Sequence, residues 1–143
     1  MLLRKTFRFE ASHILPEHPG KCSRLHGHSW VLHVFVEGDI NPKTGFVMDF
    51  ADLSHYTKAV VESLDHHHLG AWPTIEYECI GLYYDRTWAV EWLPEEFYPS
   101  SENLLHAIGA RLGKFWSKLA LEETCTSYAE LTREEFNATR NQS

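Results

Sequence analysis

His26-Gly27-His28 is the sharpest chemical feature of the chain. Residues two apart on a strand point to one face, so both imidazoles can reach a single ion. His13 ends an earlier alternating segment on the parity of its apolar residues, and if the two strands pair it supplies a third nitrogen from the same face. Three histidines around Zn2+ leave a fourth position for water or substrate, the pattern of a catalytic rather than a structural site. The bland alternative is unrelated polar residues at strand ends.

Three further positions carry possible chemistry. Cys22 lies four residues before His26, on the loop that the two strands would frame. A thiol near a divalent cation is held partly as thiolate and makes a usable base or nucleophile. It can equally be a fourth ligand in a closed Cys/His₃ structural site, or a small buried residue. Asp65-His66 follows an apolar helical pattern at Leu64. A carboxylate beside an imidazole can set its tautomer and raise its basicity, as in a proton relay, although helix ends also carry His for dipole reasons. Glu123 shares the parity of Leu121 and Cys125. A carboxylate facing a core needs a partner, which a ligand with two adjacent N–H donors would provide, unless the strand ends there and the group is solvated.

The elements that must position these groups are legible in outline. Residues 3–13 alternate, with Leu3, Phe7, Phe9, Ala11 and His13 on one parity, and 28–38 form a second β-rich run in which Trp30, Leu32, Val34 and Val36 share the parity of His26 and His28. Phe50, Leu53, Val60, Val61 and Leu64 recur at helical spacing behind an Asp49 cap, and Leu104, Leu105, Ile108, Leu112 and Phe115 do so behind Ser100–Ser101. Residues 118–129 return to alternation. This order predicts an α+β fold with an antiparallel sheet. Residues 70–99, rich in Trp and Tyr, suit a hairpin or an ordered lobe, and the polar tail from Thr132 is expected to fray.

Composition narrows the classes. A chain of 143 residues is one domain's worth, and 43% hydrophobic residues exclude global disorder. A formal charge of −7 argues against a nucleic-acid or anionic-membrane surface. The first residues alternate rather than run apolar, so no secretory leader is expected, and no stretch approaches a membrane span. Three cysteines, Cys22, Cys79 and Cys125, are too few and odd in number for a disulfide framework, which favours a reducing, cytoplasmic setting.

Taken in order, Phe7-x-Phe9-x-Ala11-x-His13, Cys22-x-x-x-His26-Gly27-His28, Gly45-x-Val47-x-Asp49-Phe50, Leu64-Asp65-His66, Ser101-Glu102-Asn103-Leu104 and Glu123-Thr124 resemble the 6-pyruvoyltetrahydropterin synthase superfamily, in particular its 6-carboxytetrahydropterin synthases of the queuosine (7-deazaguanine) pathway. The resemblance covers one domain over 1–143 apart from the insertion at about 70–99 and the tail. It implies a tunnelling fold: a four-stranded antiparallel sheet with two helices on one face, closing into a barrel in a homohexamer built as a dimer of trimers. It implies His13, His26 and His28 as zinc ligands, Cys22 as catalytic base, Asp65 and His66 as a relay supplied by a neighbouring subunit, and Glu123 as pterin anchor grouped with that relay. The implied substrate is 7,8-dihydroneopterin triphosphate, converted to 6-carboxytetrahydropterin, acetaldehyde and triphosphate. The three-residue gap between Cys22 and His26 favours this branch over the pyruvoyl-forming one, which eliminates triphosphate only. Gly70 departs from the Asn often found at its place. A different class, a non-catalytic zinc-stabilised module binding a pterin or purine, would keep the metal structural through Cys22.

Overall fold

The computed structural model describes residues 1–70, 88–94 and 96–140. Two long strands, β1 (Leu2–His13) and β2 (His26–Glu37), form an antiparallel pair from Leu2 opposite Glu37 to His13 opposite His26. The short loop between them is closed by the Leu15 amide donating to the Cys22 carbonyl at 2.9 Å, and one turn of 3-10 helix, Lys21–Ser23, carries Cys22. β3 (His67–Leu69) runs parallel to the end of β1, while β4 (Lys118–Thr124) and β5 (Ser127–Thr132) continue the sheet antiparallel beyond β2. The order is β3-β1-β2-β4-β5. The expected four-stranded antiparallel sheet is therefore a five-stranded mixed one, because residues 67–69 leave the first helix and add to the edge of β1.

Alternation decides which face is buried. Phe9, Trp30, Leu32, Val34, Leu119 and Leu121 turn to one side, where α1 (Phe50–Leu64) lays Leu53, Val60, Val61 and Leu64, and α2 (Ser101–Leu112) lays Leu104, Leu105, Ile108 and Leu112. Each fully buried leucine contributes about 2 kcal/mol of transfer free energy. Both predicted caps form: Asp49 Oδ1 accepts from the Ala51 amide at 2.7 Å, and Ser100 Oγ from the Asn103 amide at 3.3 Å. Phe115 lies beyond α2, which ends at Gly113 with φ of 82°. The opposite sheet face presents Arg4, Thr6, Arg8, Glu10 and Ser29 to solvent.

Two expectations at the C-terminal end are corrected. The tail folds as a third helix, α3 (Arg133–Arg140), held by Phe136, which is buried against Trp116 with ring centroids 5.3 Å apart. Cys125 is exposed in the β4–β5 turn instead of facing the core with Leu121. Of the insertion, residues 71–87 and Glu95 lie outside the described residues, as does Cys79. The remainder holds no hairpin among the described residues. Ala89 instead bridges in parallel to His68, and Val90 is buried in the core. No helix among the described residues is long and apolar enough to cross a membrane.

Candidate metal centre

Register brings the three histidines together. His13 stands directly across from His26, and His28, two residues along β2, shares their face. Their ring centroids lie 4.5, 5.1 and 5.0 Å apart, over Trp30, whose fully buried ring meets His13 and His28 edge-on at 5.2 and 5.3 Å. Trp30 was legible only as a core residue. Its shared parity with His28 is the signal that also makes it the floor of the site.

The outer nitrogens fix the tautomers of two of these rings. His13 Nδ1 is 2.8 Å from the Pro99 carbonyl oxygen, and His26 Nδ1 is 2.7 Å from that of Arg24. A carbonyl only accepts, so each Nδ1 must carry the hydrogen, and each neutral ring aims an Nε2 lone pair inward. The Nε2 atoms of His13, His26 and His28 are all buried without a hydrogen-bond partner. One nitrogen from each ring lies within 4.8 Å of the others, the arrangement that could hold a metal ion. Glu123 adds a further acceptor, its Oε1 lying 3.3 Å from His13 Nε2 and 3.5 Å from His28 Nε2. The inward lone pairs of His13 and His26 and the Glu123 carboxylate beside His13 are converging acceptors that repel one another, and a cation resolves that conflict. The donor set therefore fits zinc, for which imidazole and carboxylate are ordinary ligands. Cys22 is not a member of the three-histidine group, which counts against a closed Cys/His₃ site.

Glu123 keeps the inward parity of Leu121, as its spacing predicts, at the point where the β4–β5 register shifts between Glu122 and Thr124. Glu122 faces the other way and its Oε1 lies 2.6 Å from His33 Nε2, while His33 Nδ1 lies 2.9 Å from Thr6 Oγ1. Asp65 and His66 form the expected pair, with Asp65 Oδ2 3.0 Å from His66 Nδ1. They do not join the three histidines. Asp65 Oδ1 accepts from the Glu10 amide at 2.8 Å, the His66 amide donates to the Glu10 carbonyl at 2.6 Å, and the His66 side chain is 78% exposed. The Glu10 amide, followed by His66, holds the Asp65 carboxyl below its ordinary range.

His68, two residues beyond His66, is buried, with Nδ1 3.0 Å from Ser12 Oγ. Burial pushes both His13 and His68 down to about 4, and burial lowers His28 against the raising influence of Glu123. A histidine neutral in the fold but protonated near pH 6.5 when unfolded stabilises fully above pH 6.5, and that contribution is lost as pH falls through about 4. Denaturation of the metal-free protein should accordingly show a stability loss on acidification between about pH 6.5 and 4, on the order of 3 kcal/mol for each of these two residues. A denaturation midpoint that stays flat across this range would contradict the burial of both neutral rings.

The sequence profile of the 6-pyruvoyl tetrahydropterin synthase family matches residues 2–134. The chain belongs to this family. It is 31% identical to the 6-carboxy-5,6,7,8-tetrahydropterin synthase of Aquifex aeolicus over 92% of this chain and 98% of that protein. Proteins of the same name from Synechocystis sp. and Haemophilus influenzae are 47% and 40% identical over shorter stretches, in which the chain spans about half of their length, 57% and 48%. Among solved structures, 6-pyruvoyl tetrahydropterin synthase of Caenorhabditis elegans superposes with a TM-score of 0.69 at 21% identity, covering 92% of this chain and 94% of that one. Among the described residues, the five-stranded mixed sheet and three α-helices are thus this chain's version of the pterin synthase fold.

Proposed function

We propose that this protein is a zinc-dependent 6-carboxytetrahydropterin synthase, a carbon–carbon lyase converting 7,8-dihydroneopterin triphosphate and one water to 6-carboxytetrahydropterin, acetaldehyde and triphosphate in a reducing cytoplasm. The observation that carries the reading is the set of three buried Nε2 atoms that converge without a hydrogen-bond partner. The full-length similarity to the Aquifex aeolicus protein of that name supports the branch.

His13, His26 and His28 would hold zinc, whose chemistry there is Lewis-acid polarisation of the substrate's side-chain oxygens. Cys22 Sγ then removes a side-chain proton as general base, from a turn tied to β1 by the Leu15–Cys22 bond and outside the ligand set. His66 returns or exchanges a proton through Nε2 while Asp65 holds its Nδ1 hydrogen. The exposure of that pair, and its attachment to Glu10 instead of the three imidazoles, supports its service to a neighbouring subunit's site in a closed homo-oligomer, of the hexameric kind that the resemblance implies. Glu123 accepts the exocyclic amine and ring N–H of the pterin. In this reading the carboxylate beside His13 and His28 ties substrate position to the metal centre.

Incubation of the zinc-loaded protein with 7,8-dihydroneopterin triphosphate tests the reading directly. The expected products are 6-carboxytetrahydropterin and one equivalent of acetaldehyde. A pyruvoyl pterin without acetaldehyde would reassign the chain to the triphosphate-eliminating branch, and unchanged substrate would leave the binding-module class.

A further inference from the structure

The His13 imidazole owes its inward-facing lone pair to a carbonyl 86 residues away in the sequence, that of Pro99. The route by which this carbonyl arrives is specific. Gly70 follows Leu69, the β3 residue paired with His13, and adopts φ of +119°, a conformation that side chains rarely take. A Cβ on Gly70 would lie 3.1 Å from Pro99 Cγ, 3.3 Å from Pro99 Cδ and 3.2 Å from the Phe97 carbonyl oxygen. The 97–99 segment cannot easily retreat from such an atom. On its other side the Tyr98 carbonyl accepts from the Ser100 amide at 3.0 Å and from Asn103 Nδ2 at 2.9 Å, which ties it to the first turn of α2.

We infer that Gly70 and Pro99 act as positioning residues for the metal centre: the missing side chain at Gly70 lets the 97–99 strap close over the end of β3 and deliver the Pro99 carbonyl to His13 Nδ1, setting which nitrogen of His13 faces the ion. Neither residue belongs to the group of three ligand histidines. Their influence runs through one hydrogen bond, which fixes ring orientation and raises ligand basicity. Loss of such an outer bond typically weakens metal affinity 10–100-fold. The inference rests on the three-histidine metal reading for its functional meaning, but the tautomer it sets is a property of the metal-free protein.

The test uses Gly70→Ala and Pro99→Gly, the second keeping the carbonyl but removing the ring that abuts Gly70. Zinc affinity is measured by competition with a chromogenic chelator, thermal unfolding of the metal-free protein is recorded alongside, and ¹⁵N imidazole spectra report the tautomer of His13. Expected is a 10–100-fold weaker zinc affinity in Gly70→Ala, a smaller loss in Pro99→Gly, and conversion of a pure Nδ1–H signal for His13 into a tautomer mixture. A lowered unfolding temperature with unchanged zinc affinity and an unchanged His13 signal would make the contact mere packing and overturn the inference. Should Gly70→Ala fail to fold, the metal-free parent decides: a His13 spectrum that shows an Nε2–H form instead of a pure Nδ1–H signal overturns the inference alone. If the parent protein binds no zinc, the metal reading fails separately, and the His13 spectrum still decides whether the strap sets the tautomer.

Discussion

Replacing His28 by alanine is expected to strip most of the zinc from the protein while leaving it folded. The three Nε2 atoms form one ligand group, and removing any member leaves two imidazoles, too few for a stable site. If about 10 kcal/mol of binding free energy is shared among three ligands, one of them carries about 3 kcal/mol, or roughly a 10²-fold to 10³-fold loss of affinity. His28 is the ligand to choose because it is half-buried, whereas His13 is fully buried and pinned to Pro99, so its loss would disturb packing as well. Elemental analysis after dialysis against a weak chelator gives the readout, with circular dichroism to certify the fold. Glu123→Gln is the informative companion. As a pterin anchor, Glu123 can lose its charge and leave zinc in place, whereas a marked drop in zinc would make its approach to His13 and His28 that of a fourth ligand. Full zinc occupancy in His28→Ala would sink the assignment of the site.

The same residues show where sequence reasoning reaches and where it stops. The hairpin of β1 and β2 is legible because one face is buried along twelve paired positions, so period-two alternation names the inward set, His13, His26 and His28 included. The caps at Asp49 and Ser100 are legible because capping is local chemistry. β3 is only three residues long and exists by pairing with β1, which no local pattern encodes. The Pro99 carbonyl is a backbone group with no signature of its own. The parity count that sets Glu123 with Leu121 on the side of the histidines fails at Cys125, because β4 ends at Thr124 and the chain turns there. By contrast, α3 had a readable signal. Thr132 and Glu135 form a reciprocal capping box, with the Thr132 amide donating to Glu135 Oε2 at 2.9 Å and the Glu135 amide to Thr132 Oγ1 at 3.2 Å. A polar tail led by that motif is a helix start, and Phe136, the one buried residue of α3, docks it.

Cys22→Ala should separate chemistry from metal binding. The thiol sits on the one-turn 3-10 helix between the two metal strands, half-buried, and outside the group of ligand atoms. Zinc content should therefore stay at the parent level, and so should the fold, since the Leu15–Cys22 link uses the backbone carbonyl and survives the substitution. Turnover should not survive. Loss of a positioned general base typically lowers kcat about 10²-fold to 10⁴-fold, equivalent to roughly 3–5 kcal/mol of barrier, with little change in KM if the pterin is held elsewhere by Glu123. Cys22→Ser refines the argument. A hydroxyl keeps the size but is a far weaker base near neutral pH, so it should resemble the alanine variant instead of rescuing it. Full activity in Cys22→Ala would remove the thiol from the mechanism and transfer proton abstraction to the Asp65–His66 pair. Loss of zinc in Cys22→Ala would mean that the sulfur enters the coordination sphere when metal is present, and the site would then be the closed structural one.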